Sequence, residues 1–364
     1  MDGTNLDSQQ PSSLAARLPP TLNLEAVARE TGALRRRRAI KSGAQLLELA
    51  LAYSGGALSL RSTALWAGTS GVGQICDVSV LDRLRNASEF LRSVLTAVLA
   101  PRLEVRGAAR RVRVIDATTI SSPGKGGEWR LHVDYDLARH QMISCELTEG
   151  RQSESLRRFR FAPGDIALGD RGYAKARDMQ KVREAGADFV VRIGWNALRL
   201  RNADGSKFDL IGALPAIAPG EHVEVRAWIQ VSRSKRSLMP VRLVLARHPK
   251  GPTVERNRSR ATRKSAADGK KVRPETLLSA EYTLLATSLD QGSFTAAEVV
   301  TLYEMRWQIE LYFKRRKSIM GIDELPAKDP RLVRSWIYAK LIAAALTETF
   351  VAKVLDSPPS AERI

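Results

Sequence analysis

Several shortages narrow the class of this chain. Its 364 residues hold two cysteines, Cys76 and Cys145, in separate segments with no CxxC pair. Neither a disulfide framework nor a thiolate zinc site is expected, and both read as small buried residues. The four histidines, at 132, 140, 222 and 248, form no HExxH or other zinc spacing. Aromatic residues are 6% of the chain, few for a protein that stacks the bases of single strands. No apolar run approaches the roughly 20 residues that span a bilayer, so no membrane partner is expected. The N-terminal MDGTNLDSQQPSS is polar and acidic, where a signal peptide is basic and then apolar. A cytoplasmic location follows as the expectation.

Positive charge is abundant instead. Lys and Arg number 58 against 39 Asp and Glu, a formal net charge of +19. Hydrophobic residues at 44% and charged residues at 27% are ordinary globular usage, so this charge sits on a folded protein. The length suggests two or three domains at about 150 residues each. Such a surplus calls for a polyanion. Nucleic acid is the default, because each cation that neutralises a phosphate releases a condensed counterion. An anionic membrane would favour a polybasic tail or a basic amphipathic segment, whereas here the charge is spread along the chain.

The pattern along the chain divides it. Residues 1–20 read as a flexible arm. Residues 21–105 are helical in period, with the arginine run at 35–38 opening one helix and Ser79 capping another that carries Arg83 and Arg85. From 106 to 196 the texture becomes β-rich: RRVRVIDATTI, EWRLHVDYDLA and QMISCELTEG form a meander. ESLRRFRF then reads as a helix, IALGDRGYA as a strand and turn, ARDMQKVREAG as a helix and DFVVRIGW as a strand. The order βββαβαβ predicts an α/β fold, a mixed sheet flanked by helices. Residues 197–290 form a β-rich insertion with a long basic loop at 247–273, where ten Lys or Arg face Glu255 and Asp268. One long helix is predicted over 295–320, opened by the Thr295/Glu298 capping box, closed by Gly321 and roughly 39 Å long. An apolar helix at about 331–355 and a tail at 356–364 complete the chain.

Three carboxylates stand out by position. Asp116 interrupts the apolar strand VRVIDATTI, where an unpaired charge costs several kcal/mol. Asp170 ends the apolar run DIALGD. Side by side, two such aspartates would repel unless a divalent cation neutralised them. On the predicted 295–320 helix, at about 100° per residue, Arg306, Glu310 and Lys317 fall within roughly 60° of Tyr303 and share one stripe. Simpler readings exist for each part. A strand-end aspartate serves as a turn cap or ion-pair partner, and Arg306 with Glu310 at i, i+4 makes a surface ion pair.

Taken together, Tyr303-x2-Arg306-x3-Glu310-x6-Lys317, VIDATTI and LGDRGYA resemble the insertion-sequence family four (IS-four) DDE transposases and their Y-R-E-K pattern. The likeness covers roughly residues 20–350. It implies a ribonuclease-H-like core in which Asp116, Asp170 and Glu310 are catalytic and hold two Mg²⁺ or Mn²⁺ ions. These hard cations suit carboxylate ligands and in-line phosphoryl displacement. It also implies that Tyr303, Arg306 and Lys317 contact phosphates of the element ends, and that a flipped base rests on an insertion-domain tryptophan, for which Trp228 and Trp195 are candidates.

The expected partners are double-stranded DNA, both element ends and target, and a second copy of the chain as a homodimer on DNA, in the nucleoid. Arg36, Arg37, Arg83 and Arg85 are candidate DNA contacts of a helix-turn-helix kind in the helical N-terminal domain, or else a solvated basic face. Gly124-Lys125-Gly126-Gly127 lacks the rest of a Walker sequence, so no nucleotide cofactor is expected. Two other functions fit parts of the pattern: a transposase-derived DNA-binding protein without catalysis, and a metal-dependent nuclease of the same fold.

Overall fold

A computed structural model describes residues 17–56, 58–104, 110–121, 128–150, 152–232 and 237–356. Most of the N-terminal arm, the SPGKGG turn and the end of the tail lie outside the described residues. The described part begins with five helices: α1 (Leu24–Glu30), α2 (Gly43–Gly55), α3 (Leu60–Thr69), α4 (Asp77–Arg85) and α5 (Ser88–Glu104). Polar side chains start the first three. Asn23, Ser42 and Ser59 each accept a hydrogen bond from a backbone N–H three residues on, which satisfies a donor the helix leaves open.

Three local expectations in this region are corrected. The arginine run at 35–38 precedes a helix rather than opening one, because Gly32 turns the chain at φ +71° and the cap is Ser42. Helix α4 starts at Asp77, ahead of Ser79. Cys76 is exposed just before it, with its thiol 3.3 Å from Ser79 Oγ, and Cys145 is only partly buried.

A nine-stranded sheet follows: β1 (Val112–Ser121), β2 (Glu128–Asp136), β3 (Gln141–Glu149), β4 (Ile166–Gly169), β5 (Asp188–Arg192), β6 (Leu200–Arg201), β7 (His222–Gln230), β8 (Leu238–Arg247) and β9 (Tyr282–Thr287). Their order across the sheet is β3-β2-β1-β4-β5-β9-β8-β7-β6. Strands β1, β4 and β5 are parallel, and antiparallel strands flank them on both sides. The segment 197–290 contributes β6 to β9 to this one sheet, because β9 pairs with β5 at Val190–Thr287 and Val191–Ala286. Both faces are covered: Val114 and Leu168 join one core, Ile115 and Ala167 the other. That is why the central strands read as unbroken apolar runs.

Between the strands lie α6 (Ala176–Glu184), α7 (Leu210–Ala213), α8 (Pro252–Ala267) and α9 (Pro274–Ser279). After them come α10 (Ala296–Glu304), α11 (Gln308–Ser318) and α12 (Pro330–Asp356). The expected helix in ESLRRFRF is a single tight turn, Leu156–Arg158, because Asp178 takes the Ser155 hydroxyl at 2.6 Å and the Leu156 N–H at 3.1 Å. The expected basic loop at 247–273 is mostly helix α8. Arg, Lys and Ala are strong helix formers, and Pro252 at the first turn fits its start. The long helix expected at 295–320 is divided by a tight turn at Met305–Trp307 into α10 and α11. Its capping box is present, and Gly321, at φ +54°, donates to the Lys317 carbonyl at its end.

Helix α12 packs among α5, α2 and α4 and joins them to the sheet in one hydrophobic core. Buried Arg102 of α5 fixes that junction, donating to Met142 O at 2.6 Å and pairing with Glu348 of α12 at 2.7 Å. Glu348 also pairs with Arg316 of α11, which ties the signature helix to the same core. No helix among the described residues is long and apolar enough to cross a membrane.

Candidate active site

The parallel pairing of β1 with β4 sets Ile115 opposite Gly169. The next residue on each strand is Asp116 on one and Asp170 on the other, so adjacent strands deliver the two aspartates to the same end of the sheet. Asp116 keeps only 15% of its side chain exposed. Burial, and then the charges of Asp170 and Glu154, push its carboxyl up to about 7, against the pull of Ala117 N–H and Arg306. Asp170 Oδ1 caps the turn that follows it, accepting from Gly172 N at 2.8 Å. A Cβ at Gly172 would meet the carboxylate of Glu154, which would have to shift aside.

Helices α10 and α11 bring the other residues. Tyr303 is buried in the core beneath them. Arg306 sits on the turn between the helices, where it donates to Asp116 Oδ2 at 3.2 Å and to Glu310 Oε1 at 2.7 Å, with its guanidinium 5.8 Å from the Tyr303 ring. Glu310 itself is 63% exposed. Lys317 donates to Thr119 O at 3.1 Å, a little further along β1. All four residues of the stripe thus meet the β1–β4 end of the sheet. Among the described residues no three His, Cys, Asp or Glu side chains form a ready metal cage. The Arg306 guanidinium stands between Asp116 and Glu310 and supplies the positive charge there.

A cleft of about 760 Å³ opens beside these groups. Asp170, Tyr303, Arg306 and Glu310 line it together with Asn257, Arg260 and Lys264 of α8. Trp195 lines the cleft too, its indole N–H donating to Thr276 Oγ1 at 3.2 Å. Trp228 lies outside it, half-buried on β7 opposite Pro240. In the N-terminal helices, Arg83 donates to Arg36 O at 2.7 Å, and both border a surface cleft with Arg35 and Arg38. Arg37 pairs with Glu25 at 3.0 Å, and Arg85 is committed to Asp329 at the foot of α12.

Sequence reading missed Glu154, which has no motif around it. It also missed Arg171 and Arg192, although Arg192 ends an apolar core strand much as Asp170 does.

Two strand-borne aspartates, a helix-borne glutamate and a cation-lined cleft define a protein built for phosphodiester chemistry on a polyanion. Residues 107–346 match the family described as transposase DDE domain. The chain is 38% identical over 354 residues to InsL of insertion sequence element IS186A from Escherichia coli (strain K12), covering 96% of this chain and 95% of that one. It is 38% identical over 355 residues, with the same coverage, to the transposase for insertion sequence element IS421 from Escherichia coli. Against the transposase for IS231F of Bacillus thuringiensis subsp. israelensis the identity is 23% over 279 residues, 67% of this chain and 57% of that one. The chain belongs to the DDE transposase family, as its likeness to the family-four insertion-sequence enzymes implied. It is an enzyme of DNA strand cleavage and transfer that depends on divalent metal.

Proposed function

We propose that the chain binds the inverted-repeat ends of its own insertion sequence, hydrolyses a phosphodiester to free a 3′-hydroxyl, and directs that hydroxyl onto a target phosphodiester. The observation that carries this is that paired parallel strands deliver Asp116 and Asp170 to one end of a mixed sheet, where Arg306 ties Asp116 to Glu310. Water is the nucleophile in the first step and the freed 3′-hydroxyl in the second. A bridging oxygen leaves each time, and no covalent enzyme intermediate is formed.

The donor set fits hard divalent ions: three carboxylates, no thiolate or imidazole, and one carboxyl that burial, and then two neighbouring carboxylates, push up to about 7. Asp116, Asp170 and Glu310 would hold two Mg²⁺ or Mn²⁺ ions, which supply Lewis-acid stabilisation of the attacking and leaving oxygens. Arg306 has a bidentate fork for the phosphate beside the cut, Lys317 offers a point charge, and Tyr303 orients Arg306 from below. Trp195, in the cleft, is better placed than Trp228 to receive an unstacked base. Arg36 and Arg83 would grip duplex through the N-terminal helices. Two ends of one element call for two active sites, hence a homodimer on DNA, working on the nucleoid in the cytoplasm.

The test uses the purified chain, duplexes carrying the ends of its element, Mg²⁺ and a target plasmid. Alanine at Asp116, Asp170 or Glu310 is expected to abolish cleavage while end binding survives, and retained cleavage would remove that residue from the metal site. Joined product separates a transposase from a nuclease of the same fold, which would leave cut ends only.

A further inference from the structure

Ion pairs hold the buried arginines Arg102 and Arg113, but one group of exposed and half-buried cations has none. Arg171 follows Asp170, Arg192 ends β5, and Arg260 and Lys264 project from α8. No side chain among the described residues makes a hydrogen bond or ion pair with any of these four. All four line the cleft that holds Asp170 and Glu310. Arg192 is only partly exposed, and its Nε is buried with no partner. Like charges gathered in one cleft without ion pairs favour an anion between them.

Helix α8 is built to supply that wall. It has no buried residue. Asn257, Arg260, Ala261, Lys264 and Ser265 recur at i, i+3, i+4, i+7 and i+8, and all five face the cleft. Arg258, off that face, anchors the helix to Glu281 at 3.2 Å. Lys317 reaches β1 at Thr119 and does not line the cleft, whereas Arg260 and Lys264 do. A strand running past the carboxylates therefore meets one set of cations on α10–α11 and a second on β5 and α8.

We infer that Arg171, Arg192, Arg260 and Lys264 form a separate phosphate subsite, which holds the DNA strand beyond the scissile phosphate: donor flank before cleavage and target DNA during joining. The ligand is sequence-independent, because the four residues offer only guanidinium and ammonium groups, which suit phosphates, rather than a set of base-reading donors and acceptors. The inference rests on the three-carboxylate reading of the site.

The experiment compares two duplexes in metal-free buffer across a salt series: the element's end with flanking DNA, and the same end terminating at its last nucleotide. The double substitution Arg260→Gln/Lys264→Gln changes only exposed side chains, and Arg192→Gln serves as the half-buried counterpart. The double variant is expected to bind the flanked duplex about 10- to 100-fold more weakly, with a log–log salt slope reduced by roughly two units, while binding of the terminated end is unchanged. Equal weakening on both duplexes, or none on either, overturns the subsite. Asp116→Asn assayed in parallel for cleavage keeps the two readings apart: surviving cleavage would sink the metal site while leaving the flank comparison intact.

Discussion

Strand β1 carries two charges three residues apart with opposite fates. Arg113 is 2% exposed and fully engaged: Nε donates to Asp134 at 3.1 Å, Nη1 to Asp165 and to Arg160 O at 2.7 Å each, and its guanidinium lies 4.4 Å from the Phe161 ring. Asp116 is nearly as enclosed, yet it has two carboxylates nearby and a single arginine shared with Glu310. The first site is electrostatically closed and holds the strands together. The second leaves two carboxylates to share one arginine, which suits a site that takes up further positive charge. The same residue types thus make structure where partners are complete and a candidate site where they are not.

Substitutions can break this contrast. The largest effect is expected at the open end: Asp170→Asn or Glu310→Gln lowers cleavage by about 10³-fold or more, roughly 4 kcal/mol of barrier, with little change in the unfolding midpoint. The measurement is single-turnover cleavage beside a denaturant titration, and a comparable stability loss would make these residues structural. At the closed end the pattern is reversed. Arg113→Met leaves Asp134 and Asp165 buried without their cation and is expected to cost about 3–5 kcal/mol of folding stability, read from urea unfolding. A near-normal midpoint would show that the pair adds nothing to the fold.

A smaller effect separates the two ends by pH. The Asp116 carboxyl is pushed up from 3.8 to about 7, so the folded state binds a proton that the unfolded state has released, and stability declines as pH rises from about 4 to about 7. In metal-free buffer Asp116→Asn is therefore expected to stabilise the protein by about 1–2 kcal/mol at pH 8, a gain that vanishes near pH 4. Thermal melts across that range test it, and a gain independent of pH would assign it to packing instead. Smallest is Lys317→Ala, expected to weaken end binding modestly and flatten the log–log salt slope by about one unit. An unchanged slope would take Lys317 off the phosphates.

How far the site was legible follows from how local its signals are. Asp116 and Asp170 were visible because a carboxylate in an apolar run is anomalous wherever it occurs. Tyr303, Arg306, Glu310 and Lys317 were visible through helical spacing, although the tight turn at Met305–Trp307 means that an unbroken helix is not what aligns them. Glu154 and Arg192 were invisible, because nothing near them in sequence indicates that they end up beside Asp170 and α8. The arginine run at 35–38 misled in the other direction: its charge suggested a helix opening, while Gly32 and Ser42 decided where the chain turned and where the helix began.

The sequence by itself determined the surplus of cations, the three-strand meander followed by β4, a helix and β5, both ends of the signature segment at Thr295 and Gly321, and three carboxylates in places where charge is costly. These depend on neighbours a few residues away, through burial pattern, capping and backbone conformation. Only the tertiary structure decided that Asp116 and Asp170 share a strand register, that Arg306 bridges Asp116 to Glu310, and that Arg192 joins α8 in a wall facing them. Those outcomes depend on which strands pair and how helices cross them, contacts between residues up to about two hundred positions apart that no local pattern encodes.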